Sequence, residues 1–189
     1  DGGRTTQFVR SISFRPHCSF VDFDGDGRLD MVTEVSGLFA GGVRETVTRF
    51  MSAKSLSHDV RIHRQNREGT FSGSPDVHGV FRLTIEEVPA RSGERFRRYQ
   101  AGELIDVTGD FDGDGIRDAV IHAEPREIKV YRGSLAGFGS RPIIAAETEP
   151  QWRFAVDDVD GDGRSDIVFR WMDPASADGY EQCRVFLTR

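Results

Sequence analysis

No stretch of this 189-residue chain approaches the roughly 18 consecutive apolar residues that a membrane-spanning helix requires, so no span is expected. Cysteine is almost absent. Cys18 and Cys183 stand near opposite ends, and a bridge between them would need the first and last repeats to touch, so two buried free thiols are the expected state. Lysine occurs only as Lys54 and Lys129 among 25 basic residues, a bias of genome composition more than of function. The single asparagine, Asn66, precedes Arg67 and Glu68 and makes no N-glycosylation sequon. His17, His58, His63, His78 and His122 lack zinc-like spacing and read as structural or surface residues. There is no G-x-S-x-G, P-loop or Cys–His signature, and Glu86-Glu87 would point to opposite faces of a strand. The sequence therefore predicts no catalytic residue, no organic cofactor and no enzyme.

The remaining composition, 37% hydrophobic and 30% charged, suits a folded globular chain. It starts at Asp1 without a Met or an apolar leader, and so reads as a processed or trimmed piece whose targeting segment is gone.

What the chain has in plenty is aspartate and glycine in one repeated order. DFDGDGRLD begins at residue 22, DFDGDGIRD at 110 and DVDGDGRSD at 158. Short apolar runs precede each loop (Cys18–Val21, Leu104–Val107, Phe154–Val156) and follow it (Leu29–Val32, Ala119–Ile121, Ile167–Phe169). A third, alternating run comes later in each unit, at Val60–His63, Ile128–Tyr131 and Arg184–Leu187, as half-buried strands require. Gly-containing turns with a phenylalanine follow in the first two units, at Phe71 and Phe138, and fourth strands are expected at Val80–Ile85 and Pro142–Ala146.

These signals predict an all-β, β-propeller-like array of about three four-stranded antiparallel blades. Blade 1 spans about 15–88 with insertions, blade 2 about 102–147, and blade 3 about 152–189 without its fourth strand. Residues 1–14 are read as a closing or preceding-blade strand. The loops lie 88 and 48 residues apart, so insertions are assigned to the first unit: a short helix near 43–53 and an exposed connection at Pro89–Gln100. Three blades fall short of the four to eight of closed propellers, so a portion of a larger assembly is expected, with further blades from a longer chain or another subunit.

Carboxylates at alternate positions of a tight loop converge on a hard cation that takes six to eight oxygens. The expected ligands in the first loop are Asp22, Asp24, Asp26, the Arg28 carbonyl and Asp30. In the second they are Asp110, Asp112, Asp114, the Ile116 carbonyl and Asp118, and in the third Asp158, Asp160, Asp162, the Arg164 carbonyl and Asp166. So many oxygens suit calcium better than magnesium, and about three ions are expected. The net charge of −6 is largely a signature of these loops: without their twelve Asp the remainder would carry +6, and three divalent cations would bring the whole to zero. An EF-hand is excluded. Its Glu at position 12 is replaced by Thr33, Ile121 and Phe169, and the flanks are strand-like.

Strand–DxDGDGxxD–strand with a downstream Gly-x-Phe turn, seen most closely in Glu68-Gly69-Thr70-Phe71, resembles the FG-GAP/VCBS repeat family. That resemblance implies an integrin-α-like propeller with calcium between the first and second strands of each blade. It also implies a secreted, cell-surface or periplasmic setting, as a binding, adhesion or scaffold module for a protein or carbohydrate ligand. The alternative is an accessory or catalytic propeller of a polysaccharide-acting enzyme. A third reading is an acidic-glycan surface built from Arg95, Arg97, Arg98 and Tyr99. Near-neutral charge with metal bound argues against nucleic acid. Trp152, Phe154, Phe169 and Trp171 are expected in the core between blades.

Overall fold

The computed structural model describes residues 7, 18–36, 55–84, 86–89, 95–98, 105–124, 126–148, 152–172 and 181–189. Among them there is no helix, and every regular element is a strand. Three antiparallel sheets correspond to the three repeats. The first contains β1 (Cys18–Val21), β2 (Asp30–Ser36), β3 (Ser55–His63) and β4 (Val77–Thr84) in sequential order. A separate hairpin pairs β5 (Glu86–Pro89) with β6 (Arg95–Arg98). The second sheet contains β7 (Ile105–Asp106), β8 (Ala119–Glu124), β9 (Glu127–Tyr131) and β10 (Pro142–Glu147), again each beside the next. The third has β11 (Trp152–Asp157), β12 (Asp166–Met172) and β13 (Glu181–Phe186).

The alternating runs are strands because alternation gives each one a buried face. On β3, Leu56, His58, Val60 and Ile62 are buried; on β4, Val77, Phe81 and Leu83 are. The connection expected at Pro89–Gln100 requires correction, since β6 within it pairs back onto β5, which ends at Pro89. The register sets Glu86 opposite Arg98 and Pro89 opposite Arg95. The expected helix near 43–53 lies outside the described residues, as does all of 1–14 except Gln7. Gln7 meets blade 1: its side chain accepts from the Phe71 N–H at 2.8 Å and donates to the Phe71 carbonyl.

The sheets stack face against face. One core cluster joins Phe23, Val60, Ile62 and Phe81 of the first unit to Ile105 and Ile121 of the second. Another joins Phe111, Val120 and Val130 of the second to Phe154, Ile167 and Phe169 of the third. Phe138, in the glycine-rich turn of the second unit, reaches back to the first, with ring centroids 5.9 Å from Phe23 and 5.5 Å from Phe81. The units are thus propeller-like blades, each burying one side against the next. Phe154 and Phe169 are core as expected, and Trp171 is partly buried against the same cluster.

Both cysteines are free and, contrary to expectation, exposed. Cys18 lies on edge strand β1 and Cys183 on edge strand β13, where no further strand is paired among the described residues to cover them. Of the histidines, His58, His63 and His122 are buried. Burial pushes the His58 imidazole down to about 4, and neighbouring Asp59 opposes this only in part.

A depressed histidine pKa means that the unfolded chain binds the proton first. The His58 contribution is whole above pH 6.5 and is lost as pH falls towards 4. Urea unfolding at about pH 5 should show about 2 kcal/mol less stability from this group than at neutral pH. The drop between the two conditions should shrink by that amount in His58→Gln; an unchanged drop would remove His58 as its source.

Candidate metal centres

Each DxDGDGxxD loop joins the first two strands of its sheet, and antiparallel pairing brings the two ends of the loop together. Val21 pairs with Asp30 and Asp157 with Asp166, so the last Asp of the first and third loops lies across from the strand that enters the loop. The central glycines hold positive φ, for example 70° at Gly25 and 82° at Gly27. Gly25 also lies where an added Cβ would meet the Gly115 carbonyl oxygen at 2.8 Å, because adjacent loops nearly touch.

The ninth position has a role that the ligand pattern did not reveal. Asp30, Asp118 and Asp166 are all fully buried. One oxygen of each accepts from the N–H of loop position 2: Phe23 at 3.1 Å, Phe111 at 2.8 Å and Val159 at 3.0 Å. The other oxygen accepts from the N–H that lies two residues beyond the third strand of the blade: Gln65 at 2.9 Å, Gly133 at 2.7 Å and Thr188 at 2.9 Å. Each carboxylate is therefore a clip between the metal loop and the end of the third strand. Its signal in the sequence is the same Asp that reads as a ligand.

Burial raises the Asp118 carboxyl to about 6 against the pull of these N–H groups, and it raises Asp30 as well. At Gly133 an added Cβ would lie 1.9 Å from the Arg117 carbonyl oxygen. Gly133→Ala should therefore cost about 3 kcal/mol or more in chemical denaturation, because backbone must move and the Asp118 clip moves with it. An alanine variant of wild-type stability would show that the turn can open freely.

Position 1 organises the loop from inside. Asp22, Asp110 and Asp158 accept from the N–H at position 6, at 3.0, 2.8 and 3.0 Å. The carboxylates of positions 1, 3 and 9 then converge in every loop. Asp22, Asp24 and Asp30 form one group, Asp110, Asp112 and Asp118 another, and Asp158, Asp160 and Asp166 the third, with one oxygen of each residue within 4.8 Å of the others.

The expected ligands at position 5 lie outside these groups. Asp26, Asp114 and Asp162 accept from the N–H of position 7 (Arg28, Ile116, Arg164), each at 2.9 Å. The backbone at Arg28, Ile116 and Arg164 is thus turned by position 5.

The donor set fits a hard cation. It is entirely oxygen and anionic, and in the first loop Asp22 Oδ1 and Asp24 Oδ1 are buried without a hydrogen-bond partner. Two such atoms side by side are costly unless a cation completes them.

Neighbouring loops are linked in series. The Arg117 N–H donates to the Phe23 carbonyl at 2.9 Å, and its Nε donates to the Asp22 carbonyl at 3.2 Å. The equivalent Ser165 N–H donates to the Asp110 carbonyl at 2.7 Å, while its Oγ accepts from the Asp110 N–H at 3.0 Å. The loops therefore form one row along one end of the blades.

None of the curated proteins matches the chain. The sequence model of the FG-GAP-like repeat matches residues 110–169, from the first ligand of the second loop to the strand after the third. Two of the three loops and the blade joint between them fall inside that match, so residues 110–169 are similar to the FG-GAP-like repeat.

Proposed function

We propose that this chain is a calcium-binding β-propeller module in which the ions are structural, with an extracellular binding, adhesion or scaffold role. The observation that carries this reading is the threefold convergence of carboxylates 1, 3 and 9 between the first two strands of each blade. Oxygen-only, acidic loops suit calcium, and a secreted, cell-surface or periplasmic setting supplies it at concentrations that fill weak sites. The loops serve the fold, so function lies in surfaces that the blades present, and the role is binding and not catalysis. Equilibrium dialysis with elemental analysis should find three calcium ions per chain, and retention of none at millimolar calcium would defeat the proposal.

The partner reading draws support from blade 3. Phe23 is 0% and Phe111 3% exposed at loop position 2, whereas Val159 is 50% exposed. Ile62 and Val130 are fully buried, yet Val185, which pairs with Val168 as Val130 pairs with Val120, is 40% exposed. The face that two blades bury against a neighbour is thus open on the third, and we propose that it takes a further blade, from a longer chain or another subunit.

A further inference from the structure

The three loops share ligands but differ in the cations around them. The third strands of the blades end in register: His63 pairs with Met31, Tyr131 with Ala119 and Phe186 with Ile167, each partner immediately following the ninth Asp. The next residue therefore occupies one equivalent place in all blades. It is Arg64 in the first, Arg132 in the second and Leu187 in the third.

Arg64 forms an ion pair with Asp24, the third-position carboxylate of loop 1. Arg132 forks onto loop 2, with Nε 2.7 Å from Asp112 and Nη2 2.8 Å from Asp114. Arg28 adds a second pair in loop 1, on Asp26. In loop 3, among the described residues, no basic side chain pairs with Asp158, Asp160 or Asp162. Leu187 is exposed, and Arg164 leans towards loop 2, its Nε 3.5 Å from where a Cβ on Gly113 would stand.

We infer that Arg64 and Arg132 are built-in countercharges that set a graded calcium response: loop 3 fills first, and loops 1 and 2 fill only at higher calcium. This rests on the calcium reading above. An arginine on a ligand carboxylate offsets part of the charge of the empty loop and repels the incoming cation, while Asp24 keeps its Oδ1 free for the ion. Loop 3 has no such substitute. Its carboxylates repel one another until a cation arrives and no arginine opposes that cation, so loop 3 takes the ion at lower concentration than loops 1 and 2.

Hydrogen exchange of the intact 189-residue chain, followed by mass spectrometry across a calcium titration, reads each loop separately. Residues 158–166 should gain protection at about tenfold lower calcium than 22–30 and 110–118, the size expected for one partly exposed charge near the ion. Arg132→Leu should move the loop 2 midpoint down by about the same factor and leave loop 3 in place, while Leu187→Arg should move loop 3 up. Arg132→Lys keeps the charge without the fork and should fall between wild type and Arg132→Leu. Coincident midpoints in wild type, or an Arg132→Leu midpoint unmoved with the fold intact by circular dichroism, would overturn the inference. If no loop responds to calcium at all, the functional proposal fails, and that result is distinct from a uniform response.

Discussion

Thermal unfolding in millimolar calcium is expected to run at least about 10 °C above unfolding in excess EGTA. An ion at a hundredfold excess over its dissociation constant stabilises the folded state by about 2.7 kcal/mol per site, so three sites give about 8 kcal/mol. For a chain of this size each kcal/mol moves the midpoint by roughly 2–4 °C. The source of this dependence is visible in the loops. Asp22 Oδ1 and Asp24 Oδ1 are buried and unpartnered, and the Asp30 and Asp118 carboxyls are pushed upward because burial opposes their charge. Without a cation the fold must carry these groups at a cost. Magnesium should recover only part of the shift, because it demands near-octahedral geometry and gives up water reluctantly. Equal midpoints in calcium and EGTA would show that the loops are closed by their own hydrogen bonds.

The second large effect belongs to the clip at position 9. Asp118→Ala should destabilise the chain by about 3–5 kcal/mol in calcium, and most of that loss should persist in EGTA. The substitution strands the Phe111 and Gly133 N–H groups, both held by this carboxylate at 2.8 and 2.7 Å, in a place without water to replace it. Asp112→Ala is the contrast. Asp112 belongs to the same acidic group but is only partly buried, so its loss should weaken calcium binding while costing little in EGTA. Denaturation curves of the two variants, each with and without calcium, separate the roles. If Asp118→Ala behaves like Asp112→Ala, position 9 is a ligand alone and the clip contributes nothing measurable.

Much of this was legible along the chain. DxDGDG with a ninth Asp locates each loop because alternating carboxylates and permissive glycines are local requirements, and Phe81 and Leu83 mark a buried face by spacing alone. The β5–β6 hairpin is not legible along the chain because the pairing of Glu86–Pro89 with Arg95–Arg98 is a relation between strands and not within one. The cysteines were misplaced for a similar reason: side-chain type suggests burial, but Cys18 and Cys183 fall on sheet edges, which only strand order defines.

The repeat, the strands beside each loop and the acidic positions follow from the order of residues, since all three depend on neighbours within a few residues. What those positions do follows from strand pairing and blade packing. Packing of blade against blade buries Phe23 and Phe111 yet leaves Val159 open. The antiparallel return of the third strand delivers Gln65, Gly133 and Thr188 to the ninth Asp. The same return sets Arg64 and Arg132 on two of the loops and Leu187 beside the third. Hydrogen bonds and ion pairs between residues 15 to 40 positions apart depend on how the sheet closes, and no local pattern encodes them.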